Sequence, residues 1–93
     1  MKNLNLKTYK GEARILRKDG RYTTRKWREP IANLGKWIRE REKFMRDIYR
    51  FKTFDLNLGP DGCVTMECER PEGVYNGRHL RRMNAFYKFT PIQ

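Results

Sequence analysis

The sequence predicts an α+β fold, in which an antiparallel sheet of two hairpins plus terminal strands carries one long helix packed on one face. Three observations lead there. Only one segment, about residues 30–52, keeps the helical period; apolar and polar residues alternate on both sides of it; and two turn signals, Asp19-Gly20 and Gly59-Pro60-Asp61-Gly62, each separate two alternating runs. Ninety-three residues suffice for one core and not two, so residues 1–93 are expected to form a single domain. Twelve aromatic residues (two Trp, five Tyr, five Phe) supply large buried areas, which favours a folded domain over a disordered basic tail.

Leu4, Leu6 and Thr8 alternate with polar residues and predict a first strand. Residues 12–18 and 21–27 flank Asp19-Gly20 and predict a hairpin with a two-residue loop. Glu29-Pro30 ends that run and opens the helix, since proline suits a first helical turn, and Ile31, Leu34, Ile38, Met45 and Ile48 then repeat at helical spacing. Phe54, Leu56 and Leu58 lie on one side of the second turn signal and Val64, Met66 and Cys68 on the other, a second hairpin. Pro71-Glu72-Gly73 and Asn76-Gly77 punctuate the next stretch, residues 78–82 carry charge without a clear period, and residues 83–90 read as a last strand.

On the helix, Ile31, Leu34, Trp37, Ile38, Phe44, Met45, Ile48, Tyr49 and Phe51 fill an arc of roughly 160°, wide enough that much of it must be core. Trp37, Phe44 and Phe51, spaced by sevens, are expected to pack against the sheet or the loop after the helix. Arg41 and Lys52 point into the same arc, where long basic side chains reach outward to water or to an acid. Lys36, Arg39, Lys43, Arg46 and Arg50 fall within roughly 80° elsewhere on the helix and form a cationic ridge. Each like-charge neighbour pair along it costs the helix about 0.2–0.5 kcal/mol, a small penalty in a consistent direction.

The chain holds 22 Lys and Arg against 11 Asp and Glu, a net charge of +11. Residues 1–28 hold ten basic and two acidic side chains, whereas residues 53–77 hold one basic and five acidic. An anionic partner is implied, and one region is set apart from the basic surface. With Asp19-Gly20 as a two-residue loop, Lys18 would face Arg21 and Arg14 would face Arg25, four cations on one side of the hairpin. Facing like charges destabilise a sheet, so this arrangement asks for something negative across it. Tyr22 and Trp27 flank the cations as candidate base-stacking residues, and Arg78, Arg81 and Arg82 add a third basic element.

Other chemistries find little support. The chain has no serine, no phosphate-cradling glycine loop and no dinucleotide fingerprint, so a non-catalytic role without cofactor is expected. With one histidine and Cys63 and Cys68 on opposite faces of a strand, neither a metal site nor a disulfide is expected. No run approaches the ~20 apolar residues of a membrane span, and the first seven residues lack the apolar core of a signal peptide, so an intracellular, membrane-free setting is expected.

Together these point to a protein that binds structured or single-stranded nucleic acid, RNA ahead of DNA, through a surface that combines the helix ridge, the first hairpin and residues 78–82. RNA is preferred because the helix spends nearly half its circumference on core and is no free groove-reading probe, while a basic and aromatic sheet suits single strands and loops. Six phosphate contacts would predict an affinity loss of ~10³ between 50 and 200 mM salt. The alternative is a protein-binding inhibitor or adaptor whose basic face docks on an acidic protein surface or on the nucleic-acid site of another enzyme. In size, basicity and compactness the chain looks like the small accessory proteins of bacteriophages, some of which would act as anti-defence factors in that second sense.

Overall fold

Alternation along extended chain sends successive side chains to opposite faces of a sheet, and here it sorts an apolar set under the helix from a charged set facing away. The structure is a computed structural model that describes residues 7–16 and 19–92. Its elements are β1 (Thr8–Leu16), β2 (Tyr22–Lys26), α1 (Leu34–Tyr49), β3 (Thr53–Leu58), β4 (Val64–Arg70), β5 (Gly73–Tyr75), β6 (Arg78–Leu80) and β7 (Met83–Ile92). Five strands form one antiparallel sheet in the order β2-β1-β7-β4-β3, and β5 and β6 form a separate ribbon. The α+β architecture with one helix over one face is therefore the one the sequence predicts. The two hairpins are its outer pairs, and β7 joins them as the central strand.

The helix lays Leu34, Ile38 and Met45 on a floor of Tyr9 and Ala13 from β1, Val64, Met66 and Cys68 from β4, and Ala85, Tyr87 and Phe89 from β7, all buried. Gly11 completes this floor. A methyl group there would come 2.8 Å from Ile31 Cδ1, so any side chain at this site forces the buried Ile31 side chain to shift. Trp37 packs edge-on against Phe89 and Tyr87, and Phe51 is buried, as the spacing by sevens predicts, but Phe44 stays 41% exposed.

The helix is shorter than expected at both ends, each for a local reason. Ile31 exchanges two backbone hydrogen bonds with Tyr9 (3.0 and 2.8 Å), which holds residue 31 extended beside β1. Pro30 therefore does not open the helix. The chain turns through Asn33 (φ 50°), whose side chain accepts from the Lys36 N–H at 3.3 Å, and helix begins at Leu34. At the other end Arg50 takes the left-handed conformation (φ 63°) and the Phe51 N–H reaches back to the Met45 carbonyl at 3.1 Å. Arg70 secures this end by donating from Nη1 to the Tyr49 carbonyl (2.8 Å) and from Nη2 to the Arg81 carbonyl (2.8 Å).

The first hairpin departs from the predicted register by one residue. Arg14 lies opposite Thr24, Ala13 opposite Arg25 and Leu16 opposite Tyr22. The connection takes up an additional residue, with Gly20 at φ 83° and the Asp19 carboxylate accepting from the Arg21 N–H at 3.0 Å. Because the side-chain period is two, this single step sends Arg14 and Arg25 to opposite faces, and the expected block of four facing cations does not form. Lys18 and the predicted strand at Leu4 and Leu6 lie outside the described residues.

The second hairpin matches its expectation. The Gly59 N–H donates to the Cys63 carbonyl (2.8 Å), and Asp61 accepts from the Cys63 N–H (3.0 Å), a bond that holds its carboxyl below the usual carboxylate range. Asn76 and Gly77, both at positive φ, turn β5 into β6, which assigns residues 78–80 to a strand. Cys68 is buried under the helix while Cys63 approaches Thr90 on the other side, and both thiols are free. Among the described residues no helix is long and apolar enough to cross a membrane.

Candidate nucleic-acid interface

The face of the sheet turned away from the helix is read directly from the register. One row crosses all five strands as Thr24, Arg14, Phe86, Glu67 and Asp55. The next row is Lys26, Glu12, Lys88, Thr65 and Asn57. Tyr22 and Leu16 pair beyond the first row, toward the loop, and Glu69 and Thr53 pair at the same level on the far side. Charge thus divides along the central strand. Lys10, Arg14, Lys26 and Lys88, offset by Glu12, lie on β2, β1 and β7, while Asp55, Glu67 and Glu69 lie on β3 and β4. The acidic region that the composition singles out is on this same face, about one strand spacing of ~4.8 Å from Phe86.

Two aromatic rings stand out on the basic half. Tyr22 is 42% and Phe86 39% exposed, their ring centroids are 6.4 Å apart, and the Arg14 guanidinium lies 5.2 Å from the centre of the Tyr22 ring. A cation over one ring beside a second open ring is the mixture that grips unpaired bases and their phosphates. Sequence reasoning found Arg14 and Tyr22 but missed Phe86, Lys88, Lys10 and Lys26. The signal was present for two of them: within β7, Phe86 and Lys88 alternate with the buried Ala85, Tyr87 and Phe89, so an aromatic side chain falls on the polar side.

The remaining predicted residues occupy other surfaces. Lys36, Arg39, Lys43 and Arg46 are exposed on the outer side of α1, centred roughly 150° around the helix from its buried residues. They form a ridge as expected, but on the opposite side of the molecule from Arg14. Lys43 pairs with Asp47 (2.9 Å), and Arg46 lies near Glu42 (3.8 Å) with its guanidinium 4.8 Å from the centre of the Phe54 ring. Arg50 ends the ridge as the left-handed residue after the helix. Such exposed pairs within one helix are worth little and leave the ridge available to phosphate.

Arg25, on the helix side of β2, lies 5.1 Å from the Trp27 ring centre. Trp27 itself is half-buried and packs edge-on against Trp37 (5.3 Å), so its ring is part of the wall between β2 and the helix. Arg21 is exposed at the hairpin loop, and Arg78 is exposed on the β5–β6 ribbon. Arg82 donates to Glu69 at 3.3 Å, on the acidic side of the open face. Arg81 is exposed and offers its carbonyl to Arg70. The composite of ridge, hairpin and residues 78–82 is therefore not one surface.

His79 lies 3.1 Å from Glu72, both exposed. Among the described residues, His, Cys, Asp and Glu side chains nowhere gather in threes as a metal would require. In comparison with known proteins, no family model matches the chain, and no curated protein or solved structure matches it at a significant level.

Proposed function

We propose that this protein binds single-stranded nucleic acid, RNA ahead of DNA, on the open face of β2, β1 and β7, and does so without catalysis. The observation that carries the reading is the exposed Tyr22 and Phe86 pair with Arg14 over Tyr22, set among Lys10, Lys26 and Lys88. Bases stack on the outward rings, phosphates meet the surrounding cations, and the carboxylates of Asp55, Glu67 and Glu69 repel the backbone from the other half of the sheet. A flat sheet offers no element to insert into a duplex groove, and RNA is read mainly where its bases are unpaired and splayed. The helix ridge then supplies nonspecific attraction from the far side.

The test is a titration of the full chain with labelled single-stranded RNA, single-stranded DNA and duplexes of both at two salt concentrations. Micromolar or tighter binding that weakens with salt, with single strands ahead of duplexes, is expected. Absence of binding at low salt refutes the reading, and a stoichiometric protein partner recovered after nuclease treatment would transfer the surface to the adaptor alternative.

A further inference from the structure

Between the helix and the inner side of β2 lies a cleft of about 210 Å³, lined by Trp27, Trp37, Glu40, Arg41 and Phe44, which the sheet face does not use. The guanidinium of Arg41 stands among four rings, 5.3 Å from the centre of Phe44, 5.5 Å from Trp27, 5.7 Å from Tyr87 and 5.9 Å from Trp37. Its Nε donates to the Tyr87 hydroxyl at 3.0 Å. Burial pushes the Tyr87 phenol up, so this acceptor is neutral at physiological pH. Among the described residues no carboxylate forms an ion pair with Arg41. A half-buried guanidinium thus keeps its two terminal amino groups for a ligand, and Arg25 brings a second guanidinium to the same Trp27 ring.

We propose that this cleft is a nucleotide pocket that takes a purine or pyrimidine monophosphate, either free or as the phosphorylated end of a single strand. Aromatic walls select a planar ring by its faces, and a guanidinium fork takes the phosphate through paired N–H donors, a geometry lysine cannot reproduce. Glu40 at the rim provides an acceptor for the N–H edge of a base and disfavours a bare anion. The strand-end source rests on the sheet-face reading and the free nucleotide does not. β2 is an edge strand whose Arg25 and Lys26 point to opposite faces, so a strand lying on the open face can turn over this edge into the cleft.

Trp27 and Trp37 are the two tryptophans of the chain, and both line the cleft, so occupancy is read in intrinsic emission excited at the red edge of the indole band. The full chain is titrated at constant ionic strength with AMP, adenosine, inorganic phosphate, and a short single-stranded RNA with and without a 5′-phosphate. Saturable quenching by AMP is expected, with adenosine and inorganic phosphate each weaker by about tenfold or more. Stronger quenching by the phosphorylated RNA than by its unphosphorylated twin assigns the strand end as a source, and quenching by AMP alone assigns the free nucleotide.

Arg41→Lys keeps the charge but loses the fork, and Phe44→Ala removes an exposed wall without touching the core; each is expected to weaken AMP about tenfold. No saturable change up to about 10 mM AMP, or both variants binding AMP as the parent does, overturns the pocket. The two readings fail separately. Absence of strand capture, or capture unchanged in Tyr22→Ala and Phe86→Ala, with the AMP response intact removes the sheet-face reading and leaves the pocket standing, whereas strand capture with no AMP response removes the pocket alone.

Discussion

Removing Lys26 and Lys88 together should flatten the salt dependence of strand binding by half. Among the described residues the open face holds four cations on its basic half, Lys10, Arg14, Lys26 and Lys88, and each phosphate contact on a single strand contributes about 0.7 to the slope of log K against log salt. Four contacts give a slope of about −2.8, a loss of about 50-fold between 50 and 200 mM salt. At the same 0.7 per contact, six contacts on a composite surface would give a slope of about −4.2 and a loss of about 300-fold. Glu12 stands between Lys26 and Lys88 in the same row, so four is the upper figure. With Lys26→Ala and Lys88→Ala combined, the slope falls to about −1.4 and the loss to about sevenfold. Phe86→Ala should instead leave the slope unchanged and lower affinity at every salt concentration by about 1–3 kcal/mol, the value of one stacked base. Fluorescence anisotropy with a labelled single-stranded RNA of about ten nucleotides separates the two effects. If Lys36→Ala, Arg39→Ala and Lys43→Ala together flatten the slope and the sheet pair does not, the strand lies on the helix and the sheet-face reading is refuted.

Three further outcomes concern the scaffold. Gly11→Ala should destabilise the protein by about 1–3 kcal/mol in urea unfolding, because its methyl overpacks against the terminal methyl of the buried Ile31 side chain. Arg50→Gly should raise stability by about 0.5–1 kcal/mol, since glycine takes the left-handed conformation without strain, and the same denaturation midpoint reports it. Burial pushes the Cys68 thiol from 9.0 up to about 12, so the folded state keeps a proton that the unfolded chain releases. The associated stability is present below about pH 9 and is lost as pH rises toward 12, by up to about 1.4 kcal/mol per pH unit. A comparison of Cys68→Ala with the parent at about pH 8 and pH 10 should show the variant losing less.

How far the sequence could be read depended on how local each interaction is. Alternation identified β3, β4 and β7, the Gly59 to Gly62 turn, and the outer ridge of the helix, because each is set by neighbours a few residues apart. The helix start escaped it, since the Tyr9 to Ile31 bridge that keeps residue 31 extended joins segments far apart in the chain. The hairpin register escaped it for a different reason. A loop signal of Asp19-Gly20 suits a two-residue connection, but the pairing is decided by which side of β2 turns to the helix. Trp27 continues the side of β2 that carries Arg25, and its ring packs against Trp37 and Tyr87 on the helix side, whereas the two-residue-loop register would turn it with Arg14 to the open face.

The sequence by itself determined the composition of this surface: an excess of cations, an acidic stretch, a helix with a basic outer side and an apolar inner one. Only the tertiary structure decided which charges meet. Charge and period are properties of residues and their near neighbours, but the side of a sheet is set by strand order and register, which long-range packing selects. Placing β7 between the two hairpins brings Phe86 and Lys88 beside Arg14 and Tyr22, and a one-residue shift turns Arg25 inward to Trp27. The helix ridge and Arg14, continuous in composition, thereby end on opposite sides of the sheet.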